Sequence, residues 1–395
     1  GTAQKMGAHI RIIVQLVSVN NEAQLWSDLY DREWKDIFDI QTDIARNIAA
    51  NMEAVLSSEE TKSIEDFGTE NSDALEYYQK GNLLLYLWNE DAFRRAVDMY
   101  QRAIDLDPGF AQAYAGKAMA TFELTSWDVD EPDFTLIPEA REYALKAIAI
   151  DENLGDPYYV IGCIKYLHEW DWQGAEEFYR KGMELNPNNV WGRIGYTNML
   201  TIMRRFEESI AICEVTVKLN PLDPGVYIEL GYAKWLNGQK EEASELYKKS
   251  LELDPNSDAA NGLLFQYYVD MGIQNQFVSE YLNDMMEDHD HDIRKVYDFE
   301  LYYLFIYYAS LDQRDSMKII LDECIRRTEI GDPLYDITGE IYYALGETEK
   351  AIEFFEKSYE TRQPFMYIIN AEMRPEPLRS NPRFQELIRK LGFDI

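Results

Sequence analysis

The chain has 395 residues, of which 46% are hydrophobic, and its 17 Phe, 8 Trp and 28 Tyr are ample for a core, which excludes a disordered chain. Lys and Arg number 38 against 72 Asp and Glu, a formal charge of −34. That balance excludes a phosphate-binding nucleic-acid surface and docking on anionic lipid, because both need surplus cations. Cys163, Cys213 and Cys324 are too dispersed for a disulfide framework or a zinc site, and no run of 18 apolar residues offers a membrane span. The opening Gly1-Thr2-Ala3, without an initiator Met or a secretory leader, reads as a piece of a longer protein.

In chain order, residues 1–66 come first. Ile10, Ile12, Val14 and Leu16 alternate with Arg11, Ile13, Gln15 and Val17, which predicts a strand over 10–19. Asn20-Asn21-Glu22 is turn-like, and 23–30 reads as a second strand. Ile37, Ile40, Ile44, Ile48, Met52 and Val55 then fall on one face of an amphipathic helix. A hairpin plus one helix leaves an open sheet edge and apolar surface, so the unit either packs on the next stretch of chain or is half of a larger α/β domain.

From residue 70 to 364 a repeat takes over. Asn186-Pro187, Asn220-Pro221 and Asp254-Pro255 recur at a 34-residue interval, each closing a helical pattern. Proline disfavours helix at the residue before it and is expected to start the next helix. Counting back from Pro255 gives Tyr227, Leu230, Gly231, Ala243 and Tyr247. Pro187 gives Tyr159, Tyr166, Ala175 and Tyr179; Pro108 gives Ala96, Tyr100 and Ala103; and Tyr335, Gly339, Tyr342, Ala351 and Phe355 repeat the spacing near the end. The small residues let two helices approach closely while the aromatics fill the hole beside them.

This period and pattern resemble the tetratricopeptide repeat, two antiparallel helices per unit. The expected fold is mainly α: a right-handed solenoid of about eight helical hairpins after a small strand-strand-helix fragment. The hairpins fall near 76–108, 109–152, 153–187, 188–221, 222–255, 256–290, 293–330 and 331–364, the sixth and seventh being degenerate. An Asp- and Pro-rich insert occupies 126–137, and 365–395 reads as a terminal cap.

Leu25-Trp26-Ser27, Tyr30-Asp31-Arg32, Asp36-Ile37-Phe38 and Gln41 resemble the second half of the TolB-like domain of many bacterial regulators. The stretches 168–187 and 377–393 resemble the third unit and closing cap of the tetratricopeptide array that comes after it in that family. The resemblance implies a regulatory region beside an output module, either a nucleotide cyclase or a winged-helix domain. It implies a bacterial module, cytoplasmic or periplasmic according to its parent.

Little in the chain points to catalysis. There is no Gly-x-x-x-x-Gly-Lys, Gly-x-Gly-x-x-Gly, Gly-x-Ser-x-Gly or His-Glu-x-x-His, so no catalytic residue and no cofactor is expected. The cluster 287–292 contains His289, His291 and Asp292, a weak metal candidate whose plain alternative is a solvated acidic loop. Asp128, Asp130 and Glu131 resemble a calcium loop only faintly.

Repeat arithmetic places Met119, Phe122, Ile164, Leu167, Trp191, Ile194, Asn198, Ile228, Tyr232 and Trp235 toward a concave groove, by analogy with the family. Asn198 stands where some family members clamp a carboxylate, but the cations of such a clamp are missing. The expected function is non-enzymatic: the groove binds a protein or peptide through apolar anchors. The alternatives are self-association into a homodimer through the N-terminal strands, and an enzyme or small-ligand binder with no legible site. No nucleic acid and no direct membrane contact are expected.

Overall fold

The structure, a computed structural model, describes residues 1–18, 23–52, 57, 61, 64, 67–126, 132–363, 366, 368–371 and 376–393. Strands β1 (Thr2–Met6), β2 (His9–Val17) and β3 (Gln24–Glu33) form an antiparallel sheet in that order. The turn between β1 and β2 uses Gly7 at φ +62°, a conformation glycine adopts without a Cβ clash. The expected strand pair is present, but β1 precedes it, and Thr-Ala-Gln-Lys-Met carries no apolar alternation to announce it. This corrects the expectation of a free edge on the first apolar strand. β2 is central, paired to β3 from His9 to Val17 and to β1 from His9 to Ile13. The turn expected at Asn20-Asn21-Glu22 lies outside the described residues, as does Val55 at the end of the expected helix.

Alternation along β2 decides which face is covered. Ile10 is buried, and Ile12 and Val14 pack beside it, with Tyr30 of β3 and Ile37 and Ile40 of helix α1 (Ile37–Asn51). The same core continues into Ala74, Leu75, Ala103, Ile104, Phe110 and Tyr114 of the first repeats. The fragment therefore packs on the array, which supplies the apolar partner a lone hairpin lacks.

The array runs as hairpins: α2 (Ser72–Leu85) with α3 (Glu90–Leu106), α4 (Ala111–Glu123) with α5 (Ile137–Ile150), and α6 (Asp156–Ile164) with α7 (Trp172–Leu185). Next come α8 (Val190–Ile202) with α9 (Phe206–Leu219), α10 (Pro224–Leu236) with α11 (Lys240–Leu253), and α12 (Asp258–Asp270) with α13 (Gln276–Asp288). The last pairs are α14 (Asp298–Ser310) with α15 (Arg314–Glu329) and α16 (Tyr335–Ala344) with α17 (Thr348–Glu360).

Each Asx-Pro pair sits just past a helix end, but Pro187, Pro221 and Pro255 do not begin the next helix. A short turn intervenes, and Asn189, Asp223 and Ser257 cap the succeeding helices by accepting from the N–H of Gly192, Gly225 and Ala260.

The chain forms two compact bodies: Gly1–Ile161 with Glu184–Asn186, and Gly162–Met183 with Pro187–Ile395. In the first, buried Tyr100 lies between two glycines, and a Cβ on Gly81 or Gly116 would come within 2.6 or 2.5 Å of its ring. In the second, the same device recurs as Tyr179 against Gly162 and Gly195, Tyr247 against Gly231, and Phe355 against Gly339. The sixth hairpin breaks the rule. The space beside Gly262 is taken by Tyr303, from the first helix of the seventh hairpin, which accounts for the weak pattern there.

Within the second body the turn joining the two helices of a hairpin holds one left-handed residue. Trp170, Arg204, Gly238 and Gly272 have φ of +57°, +62°, +84° and +66° at 34-residue intervals, and Asp312 and Gly346 keep the same interval. Trp170 comes directly after a single π-helical turn, Lys165–Glu169. A tryptophan and an arginine in this conformation are held there by their surroundings.

Those surroundings are the end of the chain. The Trp170 ring lies 5.5 Å from that of Tyr359, with the Arg362 guanidinium 4.6 Å over it, and Arg362 donates to the His168 carbonyl at 3.1 Å. The Asn370 amide caps α8 by donating to the Ile202 carbonyl at 2.8 Å, and Arg204 donates to the Asn370 carbonyl at 3.3 Å. Past α18 (Ile368–Ala371), α19 (Glu376–Arg379) and α20 (Pro382–Lys390), the Trp172 indole donates to the Leu391 carbonyl at 2.6 Å and packs, tilted by 35°, 4.7 Å from the Phe393 ring. The terminal helices thus close the second body onto its third and fourth hairpins.

Candidate functional site

The ten residues expected at the groove fall in both bodies. In the first, Met119 is half-buried and Phe122 is buried on α4. In the second, Ile164 is fully buried at the end of α6, and Leu167 is half-buried in the π-turn. Trp191, Ile194 and Asn198 on α8, and Ile228, Tyr232 and Trp235 on α10, are all half-buried. Within the second body, α8 and α10 thus carry partly covered apolar and aromatic side chains, whereas buried Phe122 and Ile164 are closed to a groove partner. Trp235 packs edge-on to Tyr267 of α12 at 6.1 Å and lies under the Lys240 ammonium at 4.8 Å.

The residue with the most perturbed chemistry there is Glu229. It is half-buried on α10, and the Asn198 side chain of α8 acts on its carboxyl. Burial pushes it up from the ordinary 4.5 to about 7, while the Asn198 amide opposes that shift. The repeat arithmetic omits Glu229, which sits one place after groove position Ile228. A signal was present, since it is the sole charged residue between Pro224 and Ala233. Behind it, the buried hydroxyl of Tyr247 has no hydrogen-bond partner among the described residues. In the first hairpin, the residue after the close-packed glycine serves the equivalent hydroxyl, as Asn82 does for Tyr100 at 2.7 Å, and in the third Cys163 does so for Tyr179 at 3.1 Å.

A raised carboxyl makes stability depend on pH with a definite sign. The folded chain keeps the Glu229 proton that the unfolded chain releases near 4.5, so stability falls as pH rises from about 4.5 to about 7. Glu229→Gln is therefore expected to be more stable than the parent by about 3 kcal/mol at pH 8 and nearly equal to it at pH 4. Urea titrations at the two pH values check this; an equal difference at both would contradict it.

The weak metal candidate comes apart in the structure. His289 Nε2 is 2.6 Å from Glu300, while Asp292 takes the Arg294 guanidinium at 2.6 Å. Asp290 and His291 sit in left-handed conformations that turn the loop, and Asp290 pairs with Lys295 at 2.5 Å. Among the described residues no three His, Cys, Asp or Glu are placed to hold a metal. Asp128, Asp130 and Glu131 lie outside the described residues. The three cysteines are buried thiols outside any disulfide. Where the sheet meets α2, a shallow cavity of about 400 Å³ is lined by Lys5, Trp34, Lys35, Ser72 and Asp73. Its lysines are engaged, Lys5 over the Trp34 ring and paired with Glu76, Lys35 with Glu33. Among the described residues no helix is long and apolar enough to cross a membrane.

The hairpins, their close-packed glycines and the 34-residue turn spacing define a tetratricopeptide α-solenoid fronted by a small antiparallel sheet. The tetratricopeptide-repeat family model matches residues 224–257 and 334–363, the fifth and eighth hairpins. Similar curated proteins include the putative adenylate cyclase 3 of Rhizobium meliloti (strain 1021), 25% identical over 163 residues, covering 41% of this chain and 27% of that protein. The RNA polymerase II-associated protein 3 of Xenopus tropicalis is 26% identical over 264 residues, covering 62% and 37%. Among solved structures, PilW, a type IV pilus biogenesis factor, is similar with a TM-score of 0.44 and 15% identity, covering 56% of this chain and 96% of that one. The chain spans 27%, 18% and 37% of the first three curated relatives it matches.

Proposed function

We propose that the chain is a non-enzymatic interaction module of a bacterial signalling protein, and that its second body holds a peptide or protein partner across α8 and α10. The observation that carries this reading is the row Trp191, Ile194, Ile228, Tyr232 and Trp235, half-covered on adjacent first helices. Aromatic side chains set in such a row are the usual anchors of a binding surface. The similarity to a putative adenylate cyclase supports a signalling parent. The test is to select binders from a displayed random 12-residue peptide library and compare variants. Tyr232→Ala and Trp235→Ala are each expected to weaken a selected peptide at least tenfold, and unchanged binding in both would end the groove assignment.

A second reading, self-association, is favoured by the outer face of the sheet. Ile13 and Leu29 are cross-strand partners there, exposed by 39% and 56%, with Val17 and Leu25 also exposed. Ile13→Lys with Leu29→Lys is expected to dissociate such a dimer in sedimentation-equilibrium runs. A parent chain that is already monomeric at high concentration would end this reading.

A further inference from the structure

The two edges of the sheet are guarded differently. On one side β1 is five residues long and carries Lys5, both of which discourage a further strand. On the other, β3 runs ten residues from Gln24 to Glu33 without Pro, Lys or Gly, and among the described residues no strand lies against its outer side. Register decides which of its groups face outward. The Trp34 N–H donates to the Ala8 carbonyl at 2.7 Å, and hydrogen-bonded pairs alternate along an antiparallel ladder, so Arg32, Tyr30, Asp28 and Trp26 bond to β2. Leu25, Ser27, Leu29, Asp31 and Glu33, all exposed, then direct their N–H and C=O groups away from the sheet. The Leu29 N–H bears this out, since it is taken by the neighbouring Asp28 carboxylate at 2.8 Å instead of by a strand.

We propose that β3 pairs antiparallel with β3 of a second copy of this chain, about a twofold axis through Tyr30, to make one continuous sheet. This rests on the self-association reading above and names its geometry. A twofold axis perpendicular to the sheet sets a residue opposite its own copy, so few registers keep the apolar faces aligned. Centring on Asp28 or Asp31 sets like carboxylates face to face, and centring on Ser27 or Leu29 brings no opposite charges together. Centring on Tyr30 sets Asp28 opposite Arg32 of the second copy, and Arg32 opposite its Asp28. The edge is thus complementary in charge to itself in that register.

Both charges can be given to that pairing. Asp28 is exposed, and it releases the Leu29 N–H when that group donates to the second strand instead. Arg32 is exposed and lies 3.6 Å from Asp43, beyond hydrogen-bond reach, so its guanidinium can turn to a carboxylate across the seam. Asp31 and Glu33 are already paired with Arg11 and Lys35, which keeps uncompensated acid out of the seam. Paired over 27–33, the two strands exchange about eight backbone hydrogen bonds. On the outer face Leu29 and its copy become diagonal neighbours, so the exposed pair Ile13 and Leu29 joins its copy in one apolar patch.

The experiment measures the dissociation constant of the full chain by sedimentation equilibrium at physiological ionic strength, where the −34 charge of each copy is screened beyond about 8 Å. Asp28→Arg sets arginine opposite arginine across the seam, and Arg32→Asp sets aspartate opposite aspartate. Each variant alone is expected to dimerise about tenfold more weakly than the parent. Mixed in equal amounts, the two are expected to recover the parent's affinity, because both cross-strand pairs of the mixed dimer are of opposite charge. Local damage to either chain predicts no such recovery, so variants that stay weak when mixed would overturn the pairing. A dimer indifferent to both charge variants would overturn it as well, and one that Ile13→Lys with Leu29→Lys still dissociates leaves self-association through the sheet face standing. A parent chain that is monomeric at high concentration would overturn both.

Discussion

Trp172→Ala is expected to destabilise the second body by about 4 kcal/mol, the upper range for emptying a buried aromatic site. Trp172 is 7% exposed at the start of α7, wedged between Tyr166 at 5.8 Å and Phe393 at 4.7 Å. Its indole N–H is bound to the Leu391 carbonyl, at the C-terminal end of α20, where helix carbonyls lack partners within the helix. Truncation removes packing and that donor together. Trp172→Phe separates the two, keeping most of the apolar volume and losing the hydrogen bond, and is expected to cost about 1 kcal/mol plus a small packing loss. Chemical denaturation gives both values, and hydrogen exchange locates them. Protection should fall first in α20, and an α20 unaffected by Trp172→Ala would show that closure does not depend on this contact.

Arg327→Met is expected to cost about 3 kcal/mol. The guanidinium is 8% exposed and serves three acceptors: Glu323 at 3.0 Å, Asp298 at 2.5 Å and the Val296 carbonyl at 2.5 Å. Glu323 is itself 5% exposed and keeps one other cation, Arg326, whose fork holds its carboxyl below the ordinary value with help from Arg327. Removing Arg327 leaves a buried carboxylate with half its compensation and a backbone carbonyl with no donor. The double variant Arg327→Met with Glu323→Leu should recover much of the loss, because taking both charges out removes the uncompensated group. Equal losses in the single and double variants, by urea titration, would refute that account.

Much of the array is legible in the sequence because its determinants are local. An Asx-Pro pair ends a helix through the backbone of two residues, and the pairs at 186, 220 and 254 each lie directly after the end of α7, α9 or α11. Gly231 with Tyr247, and Gly339 with Phe355, are likewise sixteen residues apart and meet across one hairpin. At Gly262 the spacing fails, because the ring that fills the place is Tyr303, forty-one residues further along the chain. β1 was hidden because an edge strand exposed along its length needs no apolar face. The left-handed turns at Trp170 and Arg204 were hidden because neither residue type marks that conformation. The metal candidate misled because composition gathers His289, His291 and Asp292, whereas helix ends and nearby cations disperse their bonds. Glu229 is visible as a letter, but its raised carboxyl comes from burial, which only the packed helices supply, and is opposed by Asn198, thirty-one residues earlier and on another helix.

The bond from Trp172 to Leu391 spans 219 positions of chain. In an open solenoid each hairpin touches only its neighbours, so the last one frays at a cost set by one interface. Here the last hairpin and the helices after it are also fastened to the third and fourth, so losing the end means breaking contacts at both places. The ends then cannot melt independently, and the hairpins between them unfold as one cooperative block. The fastening is also a non-local contact that forms only once the intervening hairpins are in register, which makes closure the late and slow event of folding.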